Sequence, residues 1–197
     1  MLNEFSKLQR HLSNDLFDSD LSGDTLYIVD DYNIDSNISN RTLYNFIDAI
    51  SAVCRIKKVK VFIQMKKRDY DARDSLFQYS QLCQNGNTRK IENNYLKKRE
   101  FITAFDQKDI ECSYVVYPRF NVRPPFHGRY WLSLTGGFIV DGSINTSESK
   151  TVLVQVMDEE NYGIIRSMTR DIFNVNCPGV DEYDLGRLDD LYNHLSS

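Results

Sequence analysis

Apolar and polar residues alternate along the chain in stretches that predict buried strands separated by amphipathic helices. Residues 26–29, "LYIV", form a continuous apolar run, and residues 58–64, "KVKVFIQ", alternate into a second buried strand. Between them, the apolar residues of 43–54 recur at spacings of three and four, which is the period of a helix. The pattern therefore predicts a strand, helix, strand unit, and such a unit normally joins two parallel strands.

The same reading extends along the rest of the chain. A helix is predicted in "NYLKKREFITAF", a strand in "ECSYVVYPRF", a hairpin in "RYWLSLTGGFIVDGS", a strand in "TVLVQVMD" and a helix in "EENYGIIRSMTRDIF". The polar stretch before the first of these predicts only a turn, at "QNGNTRK". This alternation indicates the α/β class, with a mixed sheet of about six or seven strands flanked by helices.

Each end of the chain carries an apolar stripe at helical spacing. The first stripe is Leu2, Phe5, Leu8, Leu12 and Leu16, and the second is Leu185, Leu188, Tyr192 and Leu195. We predict an N-terminal amphipathic helix extension over residues 1–22, a central domain over 24–174 and an acidic helical tail over 178–197. The stripes either pack back on the domain or dock a second chain, because large exposed apolar patches are rare.

Composition and charge narrow the class of protein. The chain has 197 residues, 41% apolar and 26% charged, which fits one soluble globular domain. Its net charge of −4 argues against a positive potential over much of the surface, which tight sequence-independent binding to nucleic acid usually needs. A local basic groove is still compatible with this charge. The basic runs "RIKKVK", "MKKRD" and "NYLKKRE" therefore have two interpretations: solvated helix ends and strand edges, or contacts to nucleic acid.

Cysteine and histidine usage predicts a cytoplasmic protein without a metal or cofactor. Cys54, Cys83, Cys112 and Cys177 lie far apart, which favours free thiols in a reducing compartment. His11 and His194 have no ligand spacing around them, so no metal site is predicted. No apolar run approaches the roughly 20 residues of a membrane-spanning helix.

Candidate chemistry lies in "HGRYWLSLTGGFIVDGSINT", residues 127–146. Taken singly, His127 is a polar cap at a strand start, Arg129 a surface cation, and Ser143 and Asn145 part of a common strand exit. Two features favour a joint role for these four residues. The two-residue offset from His127 to Arg129 points both side chains to one sheet face, and one cation with the two neutral donors Ser143 and Asn145 makes a ready oxyanion site.

The residues that follow Arg129 are aromatic and allow a further interpretation. Tyr130 and Trp131 could stack on a nucleic-acid base, as aromatic side chains do in single-strand binding proteins. Packing in the core is the favoured interpretation for Trp131.

The order of these segments resembles the phospholipase D-like superfamily over residues 24–174. The resemblance is carried by "LYIVDDYN", "LYNFIDAISAVCRIKKVKVFIQMK", "CSYVVYP", "HGR" and "GSIN". It implies that His127 is a nucleophile that forms a phosphohistidine, and that Arg129, Ser143 and Asn145 bind the phosphate. It also implies a half-unit, since a chain with one motif copy usually completes its site by pairing two copies across a two-fold axis.

The motif departs from the family pattern at three points. Arg129 stands where the family has lysine, and its planar fork suits bidentate phosphate binding. The family's aspartate falls on Leu134 or Thr135, depending on the end from which the interval is counted. The following strand offers no acidic residue to orient the histidine, which leaves Asp30 and Asp141 as possible supporting residues.

Two functions are therefore open. The first is a noncatalytic module that binds a phosphate-bearing ligand, DNA or RNA foremost, in a dimer or with a protein partner. The second is a metal-independent phosphodiesterase or nuclease that acts through His127 in a homodimer. The departures favour the first function, and the retained His127, Ser143 and Asn145 keep the second open.

Overall fold

A single mixed sheet of seven strands organises the computed structural model, which describes residues 4–29, 39–65, 71–117, 129–141, 153–168 and 180–196. The strands are β1 (Thr25–Val29), β2 (Lys58–Gln64), β3 (Glu111–Tyr117), β4 (Tyr130–Leu132), β5 (Gly137–Asp141), β6 (Leu153–Val156) and β7 (Asp181–Tyr183). Their order across the sheet is β6-β5-β4-β1-β2-β3-β7. β1, β2 and β3 run parallel and the other pairs are antiparallel. The predicted α/β class and mixed sheet are confirmed.

Helices flank this sheet and connect its parallel strands. They are α1 (Glu4–His11), α2 (Asn40–Ser51), α3 (Ala72–Phe77), α4 (Tyr79–Gln84), α5 (Thr88–Asp106), α6 (Glu159–Met168) and α7 (Leu185–Ser196). α2 begins where Ser39 Oγ accepts a hydrogen bond from the Thr42 amide, a usual helix cap. The predicted helices are present within the described residues, with two differences. The N-terminal α-helix ends at His11 and is followed by a π-helix over Leu12–Leu16 and a 3-10 helix over Asp20–Ser22, and the predicted helical tail begins with the strand β7. The apolar pattern predicted neither α3 nor α4.

One face of the sheet carries the main core. Its centre is aromatic: the Phe46 ring lies 5.4 Å from Trp131 and 6.2 Å from Phe105. Both terminal stripes join this core, with Leu12, Leu16 and Leu188 fully buried and Phe5, Leu8, Leu185, Tyr192 and Leu195 partly buried against it. The described part of each stripe therefore packs on the chain's own domain, and Leu2 lies outside the described residues.

The opposite face of the sheet carries a smaller apolar cluster. Its buried members are Val29, Phe62, Val115, Tyr117, Leu132, Met157 and Tyr162. Because successive residues of a strand point to opposite faces, Tyr130 and Leu132 lie on this side while Trp131 between them enters the main core.

The C-terminal residues are integrated into the fold. β7 pairs with β3, so that Glu182 lies opposite Val115. On α7, the Tyr192 ring stacks on Tyr95 of α5 at 3.8 Å between centroids. The Tyr95 hydroxyl donates a hydrogen bond to Asp189 of α7 at 2.8 Å. The final segment is thus held by sheet pairing, ring stacking and hydrogen bonding together.

Candidate functional site

The predicted phosphate site falls partly within the described residues. Arg129 is half-buried and directly precedes β4, and Asp141 is the last residue of β5, where its backbone is described. The other predicted site residues, namely His127, Ser143, Asn145 and Asp30, lie outside the described part of the chain. Their positions and roles remain predictions.

Strand pairing brings described residues from three strands, β1, β4 and β5, to one end of the sheet. Val29, the last residue of β1, pairs with Tyr130, the first residue of β4. The Val140 amide donates a hydrogen bond to the Arg129 carbonyl at 3.0 Å, so the start of β4 lies beside the end of β5. Asp141 follows Val140 directly. We call the region around Val29, Arg129, Tyr130 and Asp141 the motif end of the sheet.

The motif end is also where the parallel strands finish. β1, β2 and β3 all have their carboxyl ends there, as the pairing of Val29 with Phe62 and of Gln64 with Tyr117 indicates. β1 has β2 on one side and β4, which comes later in the chain, on the other. In open α/β sheets, ligands bind outside the carboxyl ends of the strands at the point where the strand order reverses. β1 occupies that point here.

The β4–β5 hairpin that presents Arg129 is fixed at its turn by hydrogen bonds. Ser133 Oγ accepts from the amides of Thr135 and Gly136 at 3.3 and 3.1 Å. From α6, the buried Tyr162 hydroxyl donates to the Ser133 carbonyl at 2.9 Å. The turn and helix α6 therefore set the register in which β4 delivers Arg129 to the motif end.

Gly137, the first residue of β5, has no room for a side chain. A Cβ atom there would lie 2.6 Å from Leu132 Cδ2 and 3.1 Å from the Trp131 carbonyl oxygen. Leu132 is fully buried and has little space in which to move. We expect Gly137→Ala to lower the free energy of unfolding by about 1–3 kcal/mol, the usual cost of overpacking.

Urea unfolding measures this loss. Gly163→Ala on α6 is the matched control, because a Cβ at Gly163 meets nothing within 4 Å. Alanine favours a helix over glycine, so the control variant should be as stable as the parent or slightly more stable. Equal effects in the two variants would contradict the tight hairpin.

The two aromatic residues after Arg129 separate in the structure. Trp131 is 1% exposed and lies between Phe46 and Phe138, so its favoured core interpretation is confirmed. Tyr130 is half-buried at the motif end, and burial raises the pKa of its hydroxyl. Of the two, Tyr130 is the aromatic side chain with surface left to offer a ligand.

Most described cations of the basic runs have structural partners. Lys58 pairs with Glu111 at 3.1 Å, Lys60 with Glu182 at 2.9 Å and Arg99 with Asp189 at 3.3 Å. Lys98 is 2% exposed, and its Nζ lies 4.9 Å from the centre of the Tyr114 ring. These cations are therefore committed to the fold, which favours the structural interpretation of the two runs to which they belong.

A charged cleft of about 380 Å³ lies at the opposite end of the sheet from the motif end. Among the residues that line it, Glu182 of β7 accepts hydrogen bonds from Ser113 Oγ at 2.6 Å and from Lys60 Nζ at 2.9 Å. Burial alone would raise the pKa of Glu182, but the bonds from Ser113 and Lys60 outweigh it and lower that pKa. This network ties β2, β3 and β7 together. The sequence analysis missed this network, because the pattern around Glu182 predicted only an acidic helical tail.

We expect Glu182→Gln to reduce stability at neutral pH by about 1 kcal/mol or less, the range of partly exposed ion pairs. A lowered pKa in the folded state contributes stability above the unfolded pKa of about 4.3, and this contribution is lost as the pH falls through the folded pKa. The difference between parent and variant should therefore shrink steadily below about pH 4.

Urea unfolding at neutral and acidic pH measures that difference. Glu111→Gln is the control, because Glu111 also pairs with a lysine of β2 but is largely exposed. An effect of Glu182→Gln that does not change with pH would contradict the network as its source.

The described residues contain neither a candidate metal site nor a candidate membrane-spanning helix. No group of three or more histidine, cysteine or acidic side chains among them is arranged to hold a metal ion. No helix in the described ranges is long and apolar enough to cross a membrane. In comparisons with known proteins, no family model and no curated protein matches the chain.

Proposed function

We propose that the chain is a phospholipase D-like module that binds a phosphate-bearing ligand, nucleic acid foremost, at the motif end of the sheet. The observation that carries the proposal is the strand register, since Val29 pairs with Tyr130 and the Arg129 carbonyl accepts from Val140. The end of β1, the start of β4 and the end of β5, which are far apart in sequence, thereby lie side by side at the carboxyl end of β1. A ligand site is expected at that point of an open α/β sheet.

The charge distribution supports recognition of a few phosphates in preference to a long duplex. The net charge is −4, and Lys58, Lys60 and Arg99 are paired with carboxylates. Tight binding along a duplex needs many unpaired cations on one face. We propose Arg129, which directly precedes β4 at the motif end and whose guanidinium can hold two phosphate oxygens, as a cation of the site, assisted by Ser143 and Asn145.

Assembly and location complete the proposal. One motif copy provides half of a phospholipase D-like site, so we propose that the chain works in a homodimer or with a protein partner. A reducing compartment, the cytoplasm, is proposed because Cys54, Cys83 and Cys112 are free thiols.

Fluorescence anisotropy in EDTA tests the proposal with labelled single-stranded DNA, duplex DNA and RNA, alongside a chromogenic phosphodiester. We expect binding to at least one oligonucleotide and no turnover. Turnover in EDTA that His127→Ala abolishes would establish the phosphodiesterase alternative in its place. Absence of binding to every oligonucleotide would refute nucleic acid as the ligand, and activity that needs a divalent metal would refute the phosphohistidine mechanism.

A further inference from the structure

β6 forms one edge of the sheet, and no strand in the described ranges pairs with its outer side. The Met157 amide donates to the Gly137 carbonyl of β5 at 2.9 Å, so the backbone at Met157 faces β5. Backbone groups of an antiparallel strand face its two sides alternately. Gln155 therefore also faces β5, whereas Val154 and Val156 direct their N–H and C=O groups outward.

The two edges of the sheet differ in how they are protected. At the other edge, β7 carries the acidic residues Asp181 and Glu182, and Arg187 donates a hydrogen bond to the Glu182 carbonyl at 2.6 Å. Charged residues and occupied carbonyls of this kind discourage pairing with further strands. β6 has the sequence "LVQV", with neither charge nor proline, and its residue Val156 is 44% exposed. Of the two edges, only β6 has the features of a pairing surface.

The sequence of β6 fits a second copy of itself. An antiparallel pairing with its two-fold axis at Gln155 sets Val154 opposite Val156 of the second copy and Leu153 opposite Met157 of the second copy. Both outward-facing valines then meet outward-facing valines, which places the hydrogen-bonding groups in register. No like charges face each other, and pairs of β-branched residues are favourable across strands.

We infer that two copies of the chain join through β6 into one continuous sheet. This inference is independent of the proposed phosphate site, because it rests on the β6 backbone and not on the motif end. One short strand buries less surface than the roughly 1,200–2,000 Å² of a stable specific complex. The association is accordingly weak and depends on protein concentration.

Sedimentation velocity from low micromolar to near-millimolar concentration tests the inference. The parent chain should pass from monomer to dimer as its concentration rises. Val156→Lys should stay monomeric throughout, because it places a charge on the pairing edge. Ile164→Lys is the matched control, since Ile164 is 51% exposed on α6 and outside the strand, and it should dimerise like the parent.

A backbone variant provides a second test. Val154→Pro removes an outward N–H and leaves the hydrogen bonds to β5 in place, so it should remain folded by circular dichroism and lose dimerisation. If Val154→Pro does not fold, the comparison of Val156→Lys with Ile164→Lys still tests the inference. A parent chain that stays monomeric at every concentration would overturn the inference. So would a Val156→Lys variant that dimerises as the parent does, because association would then use another surface.

Discussion

Replacing Trp131 by alanine is expected to lower the free energy of unfolding by about 3–5 kcal/mol, the usual cost of removing a large buried aromatic side chain. Trp131 is 1% exposed, and its ring lies 5.4 Å from Phe46 and 6.0 Å from Phe138. The cavity would open beneath β4, the strand that Arg129 precedes. Circular dichroism during urea unfolding measures the loss, because the sequence holds a single tryptophan and the variant lacks its fluorescence.

Trp131→Phe is the conservative control and should lose clearly less stability, because it keeps a ring between Phe46 and Phe138. A loss below about 1 kcal/mol for Trp131→Ala would show that the site tolerates an empty core position.

Arg129→Ala is expected to weaken binding of a phosphate-bearing oligonucleotide by about tenfold to a hundredfold at low salt. This range corresponds to the roughly 1.5–3 kcal/mol of a hydrogen bond made by a charged group. The slope of log affinity against log salt concentration should also become shallower by about one, because one phosphate contact is lost. Fluorescence anisotropy over a series of salt concentrations gives both quantities.

Two variants separate a specific contact from general electrostatics. Lys57→Ala removes the same charge at the amino end of β2, away from the motif end, and should change the affinity little. Arg129→Lys keeps the charge without the planar fork and should fall between the parent and Arg129→Ala. An equal loss for Lys57→Ala and Arg129→Ala would mean that binding depends on net charge and not on the motif end.

The strands and long helices could be predicted because their own residues encode them. The apolar run of β1 and the helical period of α2 are local signals, and burial in the sheet and the main core reinforces them. α3 is too short for a period to emerge, although Asp71 and Asp74 form a capping box that marks its start. Reading cap residues ahead of apolar residues would have found it.

β7 shows why other elements escaped. Its three residues, Asp181, Glu182 and Tyr183, have no alternation that distinguishes them from an acidic loop. They form a strand because β3 offers an open edge, and because Lys60 and Ser113 bind Glu182. Such pairing is tertiary and spans more than sixty residues along the chain.

For the candidate site too, local sequence patterns predicted some features, whereas others depend on tertiary pairing. The sequence pattern placed Arg129 at the start of a hairpin and Asp141 near its end, and in the structure Arg129 directly precedes β4 while Asp141 is the last residue of β5. That β1 lies beside β4 could not be read from any local pattern, because the two strands are distant in sequence. Nor does a basic run reveal that a residue such as Lys60 is already paired with a carboxylate. Charge pairing depends on the fold and not on composition.

Locating the bound anion is the most direct test of the proposed phosphate site at the motif end. Backbone amide resonances of the folded chain can be followed by heteronuclear NMR during titration with inorganic phosphate, against sodium chloride at the same ionic strength. We predict saturable shifts that centre on Val29, Arg129, Tyr130 and Asp141 and are absent from Arg129→Ala. Shifts that centre on Lys58 and Lys60 at the opposite end of the sheet, or no saturable shift at all, would contradict a phosphate site at the motif end.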